Sequence, residues 1–392
     1  MKRAVATRPV QDTKDSRVLY MAFELGRKEW KLGFTTGMAQ APRERTLRAG
    51  DLPAVEKEIE RARARFGLGR GAQVISCYEA GRDGFWLHRF LEAIGHRNHI
   101  VDSSSLEVKR KAKRLKTDRV DLHGLLRLLI RFHSGERRVW SVVRVPSPEA
   151  EDARQLHREL ITARRDRTRT INRIKALMAT QGIDIELKPG FPTALQQTVL
   201  WNGLPIPDHL RARFAREWQQ LLAQRELVRQ IEAERNRSFR ESRDPAIEKV
   251  RQLYGLRGVG IESAWLFVME FFAWRQFTNR RQVGALAGLT PTPFQSGDVR
   301  RELGIAKSGN PLVRWLAIEI AWSWLRYQPE SELTLWYENR FGAGSSRIRR
   351  IGIVALARRL LIEFWRLRLH APSAPKEREV GTSRSRRRVS LL

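Results

Sequence analysis

Four acidic residues in the first third of the chain stand where secondary-structure elements should end or begin. Glu24 lies at the end of an apolar run over 18–25, and Glu79 follows another over 73–78. Asp118 and Asp121 open a leucine-rich run in Lys116-Thr117-Asp118-Arg119-Val120-Asp121. At i and i+3 on a helix these two aspartates share a face. Carboxylates at strand ends and at a helix start can converge on one edge of a sheet, and hard oxygen ligands of that kind hold Mg²⁺. Two such ions about 3.5–4 Å apart are a recurrent device for phosphodiester chemistry. Taken singly, each acid reads more simply, Asp118 as a first-turn residue favoured by the helix dipole and Asp121 as a solvated acid. Only the set of four, at matching element ends, shifts the reading to a metal site.

A second group lies near residue 300. Phe294-Gln295-Ser296-Gly297 is followed by Gly304-Ile305-Ala306-Lys307-Ser308-Gly309-Asn310. Clusters of Gly and Ser ordinarily mean loops. A serine that attacks a phosphodiester needs open approach, a proton acceptor and charge neutralisation. Gly297 gives room, and Arg300 and Lys307 supply positive charge. Spacing alone leaves Ser296 and Ser308 both in play. A third feature, Gly258-Val259-Gly260, reads equally as a helix–hairpin–helix turn whose amides receive a phosphate or as a tight turn between helices. Cys77 has no partner in the chain and reads as a buried strand residue. His123, one turn from the aspartates, reads as a structural histidine ahead of a partner to them. No His or Cys pair has zinc spacing, and no GxxxxGK[ST] loop is present, so no nucleotide cofactor is expected.

The elements that must position these groups follow from apolar periodicity. The 392 residues carry 74 Lys+Arg against 43 Asp+Glu, a formal charge of +31, and a 42% hydrophobic content that supports real cores. Such a surface attracts polyanions, nucleic acid first. The run Lys109, Arg110, Lys111, Lys113, Arg114 and Lys116 is its densest patch. Basic residues spread along the whole chain argue against a single membrane-surface helix, and no apolar stretch is long enough to span a bilayer. The N-terminus has no apolar core of a secretory signal, so a cytoplasmic, nucleoid-associated protein is expected.

Runs at 18–25 and 30–34 form a hairpin, with 45–48 as a third strand. Helical spacing over 54–66 and 85–94 alternates with strands at 73–78 and 99–101, and a leucine-rich helix follows Asp118. This is an α/β domain with a mixed sheet over 17–145, after a disordered segment 1–16. Over 146–245, Leu156, Leu160, Ala163, Ile171, Ile174 and Met178, then Leu210, Phe214, Trp218, Leu221, Val228 and Ile231, give heptad-like seams, interrupted at Arg167. They predict an antiparallel helical arm. A mostly helical domain over 246–370 follows, with helices at 264–272, 281–286, 310–324 and 351–367. A disordered basic tail covers 371–392.

At this point a resemblance emerges. Glu24 in FELGRKEWKLGF, Glu79 in CYEAGRDGFWLHRFLEAIG and the KTDRVD motif resemble the DEDD quartet of the insertion-sequence one-ten family of transposases, which includes relatives of the invertase Piv. LRGVGIESAWLFVMEF, FTNRRQVGALAGLTPTPFQSG and GIAKSGNPLVRWLAIEIAW resemble that family's C-terminal domain. The resemblance runs roughly from residue 17 to 370. It implies an RNase H-like (RuvC-like) N-terminal domain, a coiled-coil arm and a helical domain carrying a catalytic serine. It implies Glu24, Glu79, Asp118 and Asp121 as the catalytic Mg²⁺-binding set and Ser296 as nucleophile. It further implies DNA strand exchange guided by a structured bridge RNA, by dimers assembling into tetramers in which acids and serine come from different subunits. The chain departs from the family pattern at Glu24, usually Asp, and at Leu122, where Ala commonly follows the aspartate. Other readings are an Mg²⁺-dependent junction nuclease using water, and an inactive RNA- and DNA-binding relative.

Overall fold

The structure is a computed structural model that describes residues 18–82, 84–106, 118–296 and 299–369. The basic run from Lys109 to Lys116 and the two termini lie outside the described residues. The chain divides into two compact units, one ending at Val145 and the other starting at Pro146.

The first unit is a five-stranded mixed sheet in the order β3-β2-β1-β4-β5, compatible with an RNase H-like domain. Its strands are β1 Leu19–Leu25, β2 Glu29–Thr35, β3 Arg43–Arg48, β4 Val74–Glu79 and β5 Arg97–Val101. The first three form an antiparallel meander, and β1, β4 and β5 run parallel. Helix α1, Leu52–Arg65, makes the crossover to β4. Asp51 caps it by accepting from the Ala54 amide at 3.0 Å, and Val55, Ile59 and Ala62 face the sheet. Helix α2, Trp86–Ala93, makes the next crossover and buries Leu87 and Leu91.

Helix α3, Asp118–His133, covers the other face of the sheet. Leu122, Leu125, Leu126 and Leu129 are all buried, each stabilising by about 2 kcal/mol at most. Gly33 allows the close approach: a Cβ there would stand 2.9 Å from Leu126 Cδ1 and 3.1 Å from Leu122 Cγ. Real Cβ atoms avoid such distances, so a larger residue would lift the helix off β2.

Among its described residues the second unit is helical apart from one hairpin and an isolated bridge between Val199 and Pro205. After α4, Pro148–Asp152, two long helices pack antiparallel: α5, Gln155–Ala179, and α7, Asp208–Glu241. Leu160 and Ala163 meet Val228 and Ile231 at one end. Ile174 and Met178 meet Phe214, Trp218 and Leu221 at the other. Arg164–Glu232 and Arg173–Glu217 ion pairs fix the antiparallel sense. The seam falls into two clusters on either side of Arg167. A short α6, Phe191–Gln197, packs against the far end through Phe191 and Trp218 rings 5.0 Å apart.

Beyond it lie α8 Pro245–Tyr254, α9 Ile261–Phe267, α10 Arg280–Leu286, the strands β6 Pro291–Ser296 and β7 Val299–Ile305, then α11 Pro311–Tyr327, α12 Glu332–Tyr337 and α13 Ser346–Leu369. Aromatic packing of Phe267, Trp324 and Phe364 joins α9, α11 and α13. Two of the differences from the sequence expectation bear on the site. The apolar helix over 264–272 is an α-helix only to Phe267; Val268–Phe272 widens into a π-helical turn, closed by the Ala273 amide donating to the Val268 carbonyl at 2.7 Å. The Gln295-Ser296 stretch is paired strand rather than loop, with a bulge between Pro291 and Pro293. Proline is tolerated there because a two-stranded ribbon leaves both outer edges without ladder partners.

Candidate active site

The acidic edge is built by strand register. Ala22 pairs with Cys77 and Phe23 with Tyr78, so Glu24 and Glu79 are the next step on two parallel neighbours, about 4.8 Å apart at the backbone. Alternation fixes their face. Tyr20, Ala22, Ile75 and Cys77 pack with the α3 leucines, whereas Leu19, Met21, Phe23, Val74 and Tyr78 pack on the α1/α2 side. Both glutamates therefore fall on the α3 side, and both are half-buried.

Helix α3 runs antiparallel to β1. His133, at its C-terminal end, is hydrogen-bonded through Nδ1 to the Tyr20 hydroxyl at 2.7 Å, at the start of β1. Leu122 and Leu126 meet Gly33, which pairs with Ala22 in mid-strand. Continuing the helix backwards brings its first turn, with Asp118 and Asp121, to the edge where β1 and β4 end. The backbone of these two residues is described; their side chains lie outside the described ones. Among the described residues no three His, Cys, Asp or Glu side chains gather as a metal-ligand group.

Two neighbours of this edge have settled partners. His123 Nε2 lies 2.8 Å from Glu44 Oε1 on β3, which ties α3 to the meander. The Cys77 thiol is fully buried. Burial, with the Glu79 charge, pushes it far up, so it is no nucleophile. Asp102, which follows the last residue of β5, adds a carboxylate at the same end of the sheet. Sequence reading passed over it because the short β5 pattern gave no reason to extend the set.

The serine motif lies on the β6–β7 hairpin. Ser296 is the last residue of β6 and pairs with Val299, and Gln295 pairs with Arg300. The side chains of Ser296 and Arg300, and residue Gly297, lie outside the described ones. The base of the hairpin is well fixed. The Ala306 amide donates to the Thr290 carbonyl at 2.8 Å and the Lys307 amide to the Gly288 carbonyl at 3.2 Å. Lys307 is exposed and takes a left-handed φ of 56°, a conformation that costs a non-glycine residue on the order of 1 kcal/mol. Arg314 offsets this by donating to the Lys307 carbonyl at 2.8 Å. Ser308 is exposed in the same loop. At the glycine turn, Gly258 has φ 91°. Its carbonyl accepts from Ser323 Oγ at 2.8 Å, and the Arg257 carbonyl from Gln328 at 2.7 Å. The turn is thus held against α11, and Gly260 precedes α9 as its N-cap.

Residues 250–335, which span the hairpin, match the model of the transposase IS116/IS110/IS902 family. The chain is 36% identical over 369 residues to y4rJ of Sinorhizobium fredii, a protein named as a transposase, covering 90% of this chain and 92% of that one. It belongs to this family of transposases. A second S. fredii protein named as a transposase, y4qE, is 29% identical across 79% of the chain and 72% of its own length. A family 20 transposase of Pseudomonas aeruginosa is 25% identical across 67% and 74%.

The transposase also contains a buried acid that the sequence reading missed. Glu270, in the π-helical turn, is 1% exposed. Its Oε1 accepts from His157 Nε2 at 2.9 Å and Arg158 Nε at 2.6 Å; its Oε2 accepts from Arg158 Nη2 at 3.0 Å and Asn310 Nδ2 at 3.3 Å. The available signal was a single acid inside the apolar run Phe267-Val268-Met269-Glu270-Phe271-Phe272.

Burial pushes the Glu270 carboxyl up, but the hydrogen bonds from His157 and Arg158 and the Arg158 charge outweigh it and hold the pKa at about 2. An unfolded glutamate titrates near about 4.3. The folded value is the lower, so ionised Glu270 contributes its full stability above about pH 5 and loses it as pH falls towards about 2. The gap in melting temperature between the transposase and Glu270→Gln should therefore be constant above about pH 5 and narrow below it. A gap that stays flat down to the acid limit of folding would show that the carboxylate charge is not what stabilises.

Proposed function

We propose that this transposase is a recombinase that exchanges DNA strands through a serine–DNA intermediate, guided by a structured RNA. The observation that carries the reading is the equal register of β1 and β4, which sets Glu24 beside Glu79 near the strand ends, on the face covered by a helix whose first turn holds Asp118 and Asp121. The hairpin carrying Ser296, within the region matched to the family, supports it.

The four acids are hard oxygen donors, two near the ends of neighbouring strands and two in the first turn of α3, a set suited to Mg²⁺, which when bound would neutralise phosphate charge and lower the pKa of a coordinated oxygen. Glu24 and Glu79 would hold it from the sheet, Asp118 and Asp121 from the helix. Ser296 Oγ attacks phosphorus, a serine–phosphate bond forms as the phosphodiester P–O bond breaks, and the hydroxyl proton leaves to solvent or a nearby base. The freed DNA hydroxyl takes up a proton. In the second step a hydroxyl from the partner strand gives up its proton and attacks the same phosphorus, a new phosphodiester P–O bond forms as the serine–phosphate bond breaks, and Ser296 Oγ takes up a proton. Bond energy is kept in the phosphoserine, so no nucleotide is consumed. Acids and serine lie in separate units of the chain, consistent with the assembly in dimers and tetramers that the resemblance implies.

The test is to incubate the purified protein with its element-flanking RNA and DNA carrying the element ends, then resolve the products under denaturing conditions. A DNA–protein adduct with Mg²⁺ is expected; Mg²⁺-dependent cleavage without adduct would indicate hydrolysis by water instead.

With a charge of +31, binding to both nucleic acids should be steeply salt-dependent, because Lys and Arg displace condensed counterions. For about six phosphate contacts, affinity should fall about a thousandfold between 50 and 200 mM salt. Filter binding across that range checks it, and a flat response would count against a phosphate-dominated interface. Among the described residues no helix is long and apolar enough to cross a membrane.

A further inference from the structure

Glu270 joins three parts of the second unit that are far apart in sequence. His157 and Arg158 come from the start of α5, the long arm helix. Asn310 caps α11, its Oδ1 accepting from the Leu312 and Val313 amides at 3.0 and 3.3 Å. The Asn310 amide donates to the Leu286 carbonyl at 3.0 Å, and the loop just before it carries the hairpin base, Ala306 and Lys307. A single carboxylate therefore connects the seating of the arm to the strand pair that presents Ser296. The π-helical turn is the local device, because it leaves Val268–Phe272 buried throughout, the acid included. Such wide turns mark functional positions more often than regular helix does. The loop has little slack. Gly288 and Gly309 both take positive φ, and a Cβ on either would collide with backbone.

We propose that Glu270 is a positioning residue for the β6–β7 hairpin, relaying the placement of α5, through Asn310, to the loop that holds Ser296. For its consequence in catalysis this rests on the reading of Ser296 as nucleophile. The relay itself does not, since it concerns only how the hairpin is held.

The experiment uses the full chain and three variants. Asn310→Ser keeps a good N-cap for α11 but cannot reach Glu270. Arg158→Lys keeps the charge but loses the two-pronged contact. Glu270→Gln removes the charge. Amide hydrogen exchange is followed in β6 and β7, with adduct formation and nucleic-acid binding measured alongside. Asn310→Ser and Arg158→Lys should each raise hairpin exchange and slow adduct formation by about tenfold, the scale of ordinary intersite coupling. Exchange in α11 and binding should stay near the parent values. The Arg158 result is the discriminating one, because that residue sits on the arm and a merely local ion pair would not move the hairpin. Unchanged hairpin exchange in both variants, with only a lowered melting temperature in Glu270→Gln, would overturn the proposal. If Ser296→Ala still forms the adduct, the nucleophile reading fails, and the exchange data decide the relay separately.

Discussion

Ser296→Ala should lose the DNA–protein adduct entirely and lower recombination by more than about a thousandfold, since removing a nucleophilic hydroxyl leaves only binding and electrostatic contributions. Folding and RNA binding should persist, because Ser296 ends a strand of a two-stranded hairpin whose base is held by backbone bonds at Thr290–Ala306 and Gly288–Lys307. Ser308→Ala should leave the adduct in place. Adducts that survive in Ser296→Ala and vanish in Ser308→Ala would transfer the nucleophile to the other serine. Mixing Ser296→Ala with Asp118→Ala protein should restore part of the activity if acids and serine act from different subunits. Verified mixed assemblies that stay inactive would place both on one subunit.

The second large effect concerns the acids. Asp118→Ala and Asp121→Ala should each abolish strand exchange and leave nucleic-acid binding nearly intact. Loss of one carboxylate weakens a hard-cation site severely, whereas the basic surface is unchanged. The leucines that seat α3, Leu122, Leu125, Leu126 and Leu129, are untouched by either substitution, so melting temperature should move little. Normal recombination by either purified variant would remove the metal-site reading of KTDRVD. Glu24→Asp is the companion measurement. The side chain is one methylene shorter, and an activity above the parent would show that glutamate holds its carboxylate too far forward.

Much of the first unit was legible because its signals are periodic. The apolar runs ending at Leu25 and Phe34 are split by a short polar turn, the helix after Asp118 carries leucines at helical spacing, and Glu24 and Glu79 fall at or next to the ends of β1 and β4. What the sequence could not show is that β1 and β4 are neighbours in equal register, a long-range fact with no local trace. The β6–β7 hairpin was hidden by Pro291 and Pro293, which speak for a loop, and by the arginines at 300 and 301, which give no apolar alternation. The first turns of α13 were missed because Ser346, Arg347, Arg349 and Arg350 are polar and exposed and Ile348 is the one apolar residue among them before Ile351, where the expected helix begins. Glu270 was missed for the opposite reason. Its neighbours are so uniformly apolar that the segment reads as core, and only the approach of α5 from residues 157 and 158 reveals what the acid is for.

The equal register of β1 and β4 also limits how the chain can change in length. One residue gained or lost inside either strand turns every later side chain of that strand to the opposite face. Glu24 or Glu79 would then enter the layer built by Phe23, Trp30, Ile59 and Leu87, where no carboxylate is tolerated without a partner. The turns have no such restriction. Residues 36–42, between β2 and β3, and 66–73, between α1 and β4, can lengthen or shorten at small cost in closure entropy. Insertions and deletions among active members of this family should therefore collect in those two turns and be missing from 19–25 and 74–79, whatever the substitutions within the strands.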